Sequence, residues 1–284
     1  MENAAPIPPA ADVPADAPIA AVAPPRVGKD PHIAPSELQT WVVAEDDDFI
    51  VLNKPGNIVC HPSKDGPWSS VSGAVKAWRQ MKTLHLVSRL DRETSGVLLI
   101  AKNLAAARLS QIAIQERQVS KTYLAVLCGE MREPVLVDEP LDRDPASPVA
   151  VKHCVSHAET ARTAVTFFEP LFAKNGSTFA RVTPHTGRTH QIRVHAQWLG
   201  FPVAGDKLYG PDELLYLEFT EHGWTDRHAA LLETERQMLH AFRLEFKAPN
   251  FQRVFEAPPS PDMLAFCTAK FGAMPTGWGM GNSE

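Results

Sequence analysis

A charged loop, Ser88-Arg89-Leu90-Asp91-Arg92-Glu93-Thr94-Ser95-Gly96, runs without a break into the apolar Val97-Leu98-Leu99-Ile100-Ala101. A short apolar run rich in branched residues and bounded by glycine reads as a buried strand, so the chain has to build a sheet around it. The loop at the head of that strand is anchored to a rigid element, which is where binding and reactive groups are usually carried. Within it one carboxylate, Asp91, stands between Arg89 and Arg92. A cation a few ångströms away favours the ionised form of a carboxylate. Asp91 is therefore suited to act as a nucleophile or as an electrostatic stabiliser.

The flanking pattern supplies the rest of a sheet. Residues 41–44 and 49–52 read as two strands around the acidic turn Glu45-Asp46-Asp47-Asp48, and Asn53-Lys54-Pro55-Gly56 ends the second, leaving Lys54 as a candidate phosphate contact. Asn103 is the expected cap of a helix over 104–117, with Leu109, Ile112 and Ala113 on its apolar face. A strand over 121–128 puts Lys121, Tyr123 and Ala125 on one face, within reach of a cleft shared with Asp91. After a strand at 179–182, Thr189 is the expected cap of a helix reaching Leu199, with Gly200 as its stop. That helix would aim its N-terminal amides at an anion such as phosphate, and Arg193 would reach inward from its first turns. A last helix is expected at about 262–271.

Residues 1–36 are dominated by alanine and proline and offer little to bury, so they are expected to be a disordered tail. This leaves one domain over 37–256 and a C-terminal extension over 257–284. No apolar run approaches the roughly 18–20 residues of a membrane span, and the N-terminus lacks the cationic start and apolar core of a secretory signal, which together point to a cytoplasmic protein. Cys60, Cys128, Cys154 and Cys267 are scattered without Cys-x-x-Cys spacing, against both a disulfide framework and a zinc module. His153, Cys154 and His157 are metal-binding types, but no further ligand accompanies them in sequence, and no metal is expected. Neither a P-loop nor a dinucleotide fingerprint is present, so no nucleotide cofactor is expected. The formal net charge is −5, and omitting the first 36 residues still leaves −3. Any polyanion would have to meet a local basic face. The basic residues that gather in sequence are Arg181, His185, Arg188, His190, Arg193 and His195, whereas acids gather at Asp212, Glu213, Glu218 and Glu221.

Arg89-Leu90-Asp91 followed by Thr94-Ser95-Gly96 and a hydrophobic strand resembles the catalytic motif of the RluA-type RNA pseudouridine synthases. Lys121-Thr122-Tyr123-Leu124-Ala125 resembles the second motif of that family, and Gly187-Arg188-Thr189-His190-Gln191-Ile192-Arg193-Val194-His195 the third, with Gly205-Asp206-Lys207-Leu208-Tyr209-Gly210 after it. The resemblance extends from Asn53-Lys54-Pro55-Gly56 to Leu239-His240-Ala241 and covers about residues 40–250. One departure is Ser88, where the family usually has histidine. The fold so implied is α+β, a central mixed and largely antiparallel sheet with flanking helices and loops around an active-site cleft, here without the small N-terminal S4 domain of many relatives.

The activity so implied is isomerisation of particular uridines in structured RNA, tRNA or rRNA, by a monomer. The reaction is redox-neutral and needs no cofactor. The resemblance makes Asp91 the group that acts on the ribose, by attack at C1′ or by removal of the C2′ proton, and both routes need the carboxylate ionised. It makes Arg193 the ion-pair partner of Asp91 and Tyr123 the residue that stacks on uracil; an ordinary phenol pKa of about 10 favours stacking over base catalysis. It places Arg89 in the space left by the extruded base. Arg92, Lys54, Arg188 and Lys207 are candidate backbone contacts, and Ile192 or Val194 an apolar wall. Two other classes compete: an RNA-binding protein of the same fold without chemistry, and a glycoside hydrolase pairing Asp91 with Glu93, for which the sequence shows no aromatic sugar-binding cluster.

Overall fold

The computed structural model describes residues 32–61 and 66–278. In chain order the elements are α1 (Pro35–Thr40), β1 (Val42–Glu45), β2 (Phe49–Lys54), α2 (Val71–Trp78), β3 (His85–Leu86), β4 (Ser95–Ala101), α3 (Leu104–Gln115), β5 (Val119–Cys128), β6 (Val135–Asp138), β7 (Leu141–Arg143) and β8 (His153–Val155). They continue with β9 (Val165–Lys174), β10 (Ser177–Pro184), α4 (Gln191–Trp198), α5 (Leu214–His222), α6 (Asp226–Leu231), β11 (Leu239–Ala248), β12 (Phe251–Glu256) and α7 (Pro261–Phe271).

The apolar run after the charged loop is the centre of the sheet. Every residue of β4 is buried, and alternation divides them between two cores. Leu98 and Ile100 pack with Ile50 and Leu52 on one face, and Val97, Leu99 and Ala101 with Phe49 and Val51 on the other. The main sheet runs β1-β2-β4-β11-β5-β10-β9-β6, with β12 on β11 and β3 on β4; β7 and β8 form a separate hairpin. Its pairings are antiparallel except that of β4 with β11, which is parallel and joins Ser95 to His240 and Gly96 to Ala241. Gly96 has φ 110°, and a β-carbon there would lie 2.2 Å from the Ala241 carbonyl oxygen. Only glycine fits, because the backbones meet directly at the point where the loop of Asp91 enters the sheet. The α+β architecture and the mixed, largely antiparallel sheet are as the motifs imply.

The core extends past both expected boundaries. Ile33 and Leu38 are fully buried beside Val71 and Ile50, so folded structure begins before residue 37, although residues 1–31 of the expected tail lie outside the described residues. At the other end Met263, Cys267 and Phe271 of α7 pack on Leu124, Val126 and Phe179. Burying one such large side chain contributes roughly 1.5–3 kcal/mol, so α7 is held on the sheet by its apolar face. Asn103 caps α3 as expected, its side chain accepting from the Ala106 amide. The buried face of α3 is Ala106, Ser110 and Ala113 rather than the one centred on Ile112, which is half exposed: small residues let the helix lie close on the sheet.

Candidate active site

The loop of Asp91 is tied down from behind through Arg92, Glu93 and Thr94. The backbone carbonyl of Arg92 accepts from the Ile58 amide at 3.0 Å and from Lys54 Nζ at 3.0 Å, and that of Glu93 accepts from Arg236 Nη1 at 2.9 Å. Glu93 Oε1 accepts from Lys207 Nζ at 2.8 Å and Oε2 from the Gln237 amide at 3.0 Å, while Gln237 Nε2 donates to Thr94 Oγ1 at 2.7 Å. Arg236 is itself held by Asp262 at the start of α7. A loop with its carbonyls and flanking side chains engaged keeps its one remaining carboxylate in place, as a preorganised site requires.

Asp91 meets α4. Arg193 Nη1 donates to Asp91 Oδ2 at 3.0 Å, while its Nε and Nη2 donate to the two carboxylate oxygens of Asp206 at 2.6 and 2.8 Å. Asp206 is completely buried and also accepts from the amides of Leu208 and Tyr209, each at 3.0 Å. Burial alone would raise the Asp206 pKa and lower that of Arg193, but the mutual charges and hydrogen bonds outweigh it, so Asp206 is held below the usual carboxylate range and Arg193 above its ordinary value. The Tyr209 ring lies under the Arg193 guanidinium, 4.8 Å from its centroid. The fork of Arg193 is thus fixed by Asp206, and a third donor is left for Asp91.

His190 stands beside this pair, its Nε2 3.9 Å from Asp91 Oδ2. It adopts φ 55°, uncommon for a residue with a side chain. The Tyr209 hydroxyl accepts from the His153 amide at 3.0 Å and lies 2.9 Å from His190 Nδ1. With the hydroxyl proton given to Nδ1, the imidazole carries its own proton on Nε2, toward Asp91. Burial, and then the charge of Arg193, depress the His190 pKa to about 4, so the ring is neutral at pH 7.

A cleft of about 740 Å³ opens in front of Asp91. Its lining contains Arg89, Arg92, Lys121, Arg188 and Arg193 against, among the described residues, the single carboxylate of Asp91. This resolves the conflict with a net charge of −5: the walls are cationic although the protein is not. The acids at 212–218 are neutralised elsewhere, Asp212 and Glu218 by Arg227 and Glu213 by Lys152. Of the basic residues clustered in sequence, only Arg188, His190 and Arg193 reach the cleft. Arg181 pairs with Glu169, and His195 turns inward to Thr166 and the Glu139 carbonyl.

Tyr123 and Ile192 line the cleft, whereas Val194 packs in a different core with Leu208 and Tyr209, which selects Ile192 as the apolar wall. Burial, with a smaller contribution from Asp91, raises the Tyr123 phenol above its ordinary value. Arg89 is exposed at the rim, its Nη1 3.3 Å from His61 Nε2. Arg188 donates from Nε to the Thr163 carbonyl at 3.0 Å.

Two expected backbone contacts are corrected. Lys54 is fully buried and gives its ammonium to the carbonyls of Pro55, Ile58 and Arg92, and Lys207 is buried on Glu93 and the Glu235 carbonyl, with Phe219 4.5 Å from its ammonium. Both support the loop from behind and cannot reach a phosphate. Thr189 does not cap α4. The N-cap is His190, and Gln191 Oε1 takes the Arg188 amide at 3.0 Å and the Thr186 hydroxyl at 2.7 Å. Glu93, being engaged by Lys207 and Gln237, is not free to act as a second carboxylate beside Asp91.

Asp206, Tyr209 and His190 are site residues that reading the motifs alone did not single out. Their signal lay inside quoted motifs: in Gly205-Asp206-Lys207, the acid, not the lysine, faces the arginine. Among the described residues, no group of three or more His, Cys, Asp or Glu is placed to hold a metal ion, and no helix is long and apolar enough to cross a membrane.

With the geometry in place, comparison with known proteins gives a consistent answer. A family model described as RNA pseudouridylate synthase matches residues 48–198. Ribosomal large subunit pseudouridine synthase C of Vibrio vulnificus is 34% identical over 240 residues, 80% of this chain and 70% of that protein. Ribosomal large subunit pseudouridine synthase D of Haemophilus ducreyi is 31% identical over 242 residues, 83% of this chain and 72% of that protein. Among solved structures, human RNA pseudouridylate synthase domain containing 1 aligns with a TM-score of 0.62 and 29% identity, covering 79% of this chain and 86% of that one. Human RNA pseudouridylate synthase domain containing 4 aligns with a TM-score of 0.64 at 23% identity, over 82% of this chain and 94% of that one, a likeness of fold.

Proposed function

The chain belongs to the RNA pseudouridylate synthase family and is an RNA pseudouridine synthase; on that premise we propose that Asp91 is its catalytic carboxylate and that its substrate is a uridine in the RNA of the large ribosomal subunit, reached in the cytoplasm. The observation that carries the first part is the Asp91–Arg193 contact of 3.0 Å in a cleft lined by cations, while the loop's other carboxylate, Glu93, is engaged by Lys207 and Gln237. The names of the sequence relatives support the second.

Pseudouridine formation breaks the N1–C1′ bond, turns the detached uracil and rejoins it through C5. Asp91, paired with Arg193, acts on the ribose, either at C1′ or on the C2′ proton. The target must first leave its stack, and Arg89 at the rim is placed to enter the gap, its planar guanidinium stacking on the neighbouring bases. Inside, Tyr123 faces the uracil. A phenol raised above its ordinary value stays protonated at neutral pH, so Tyr123 acts as a stacking platform and a hydrogen-bond donor, not as a resting-state base. Ile192 closes the pocket on the apolar side and helps exclude water while the base is detached.

The test is release of tritium to water from C5-tritiated uridine in fragments of large-subunit rRNA and, in parallel, in tRNA transcripts. Release from an rRNA fragment is the expected result, and release from tRNA alone would replace the substrate assignment. A non-catalytic RNA-binding protein would bind both and release from neither.

A further inference from the structure

Lys121 lines the cleft two residues before Tyr123 on the same face of β5, and among the described residues its ammonium makes no hydrogen bond and no ion pair. Its side chain is partly buried, and burial pushes its pKa below the ordinary lysine value. The fold treats its fully buried lysines differently. Lys54 has three carbonyls, and Lys207 has a carboxylate and a carbonyl. A cation withdrawn from water without a partner is costly. A partly buried ammonium on a cleft wall, with no partner among the described residues, is open to an anionic group of whatever the cleft binds.

Its position selects the kind of partner. Two residues along a strand is about 6–7 Å, so Lys121 lies beyond the ring of Tyr123 and not beneath it. The ammonium lies 4.0 Å from where a side chain on Gly187 would begin, against the turn that precedes α4 and carries Arg188. The chemistry that fits a compact point charge beside an arginine, off the end of the base platform, is a phosphate diester. Building on the RNA reading above, we propose that Lys121 is the anchor for a backbone phosphate flanking the extruded uridine, with Arg188 beside it, and that it positions the nucleotide without taking part in bond breaking.

The test uses Lys121→Met, Lys121→Arg and the wild type, with an rRNA fragment that the wild type turns over. Affinity should fall about tenfold or more in the methionine variant, in keeping with loss of one charge-assisted contact. The slope of log affinity against log salt should become shallower by about one unit of charge. Turnover at saturating RNA should stay within about threefold of wild type, and arginine should restore most of the affinity. Thermal stability gives a second readout: Lys121→Met should melt at or above the wild type, because it removes a partly buried cation that has no partner among the described residues, whereas a lysine needed for the fold would melt lower.

If the methionine variant binds with unchanged affinity and salt slope, the proposal fails. If it binds normally but loses turnover at saturation, the ammonium acts on the reacting base and the phosphate assignment is overturned. A lowered melting temperature that arginine does not restore would also overturn it, by making the role structural. Absence of turnover by the wild type on every RNA would instead count against the function proposed above.

Discussion

Arg193 and Lys121 are cations of the same cleft, and the fold treats them in opposite ways. Arg193 is saturated: Asp206 occupies two of its donors and Asp91 a third, with Tyr209 beneath its plane. Lys121 is partly buried on the cleft wall and unpaired among the described residues. One end of the cleft is complete before substrate arrives, and there geometry has to be held to a fraction of an ångström for chemistry. At the other end the fold leaves a charge uncompensated, and stability is traded for binding. Disrupting the first end should cost activity and stability together, whereas disrupting the second should separate them.

The largest effect is expected at Asp91. Asp91→Ala should lower turnover by at least about 10³-fold while RNA affinity stays within a few fold, because phosphate contacts and chemistry use different groups. Asp206→Ala comes next. It leaves Arg193 buried with half its partners gone, a loss of about 3–5 kcal/mol that should appear as a fall of about 10 °C in melting temperature. Lys121→Met should leave the melting temperature unchanged or raise it, and a fall in both variants would break the comparison.

Acid should weaken the paired end within a defined window. Burial depresses His190, beside Asp91, and His240, in β11, from 6.5 to about 4. The unfolded chain therefore takes up protons first as pH falls. Stability that is fully present above about pH 6.5 is lost between about 6.5 and 4, on the order of 3 kcal/mol for each imidazole. Thermal melts across that range check this, and a flat profile would remove the case for two neutral buried rings. The smallest effect is expected for Tyr123→Phe, which keeps the stacking face. Turnover should stay within about threefold of wild type, and a much larger loss would assign the hydroxyl a proton-transfer role.

The parts of the molecule written as local patterns were legible in the sequence. The strand after Gly96 and the cap at Asn103 each depend on residues adjacent in the chain, and both are where the pattern places them. What depends on partners distant in sequence was not legible. Lys54 and Lys207 read as surface cations because their acceptors, the carbonyls of Ile58 and Arg92 and the carboxylate of Glu93, are brought to them only by folding. Thr189 has the chemistry of a helix cap, but the N-cap position falls on His190, in a left-handed conformation and without a side-chain cap bond. The role of α7 was written in the spacing of Met263, Cys267 and Phe271, four residues apart on one face, and was obscured by the proline and glycine around it. The motifs named the right segment for Asp206 but not the right residue, since only the fold decides which side chain of that turn meets Arg193.

The central claim is that Asp91 performs the chemistry in a cleft whose binding groups are elsewhere. The most direct measurement places wild type and Asp91→Asn side by side on one C5-tritiated large-subunit rRNA fragment, reading tritium release and RNA affinity from the same samples. The account predicts release by the wild type, none above background from the variant, and affinities within a few fold of each other. Release by Asp91→Asn at a rate comparable to wild type would contradict it.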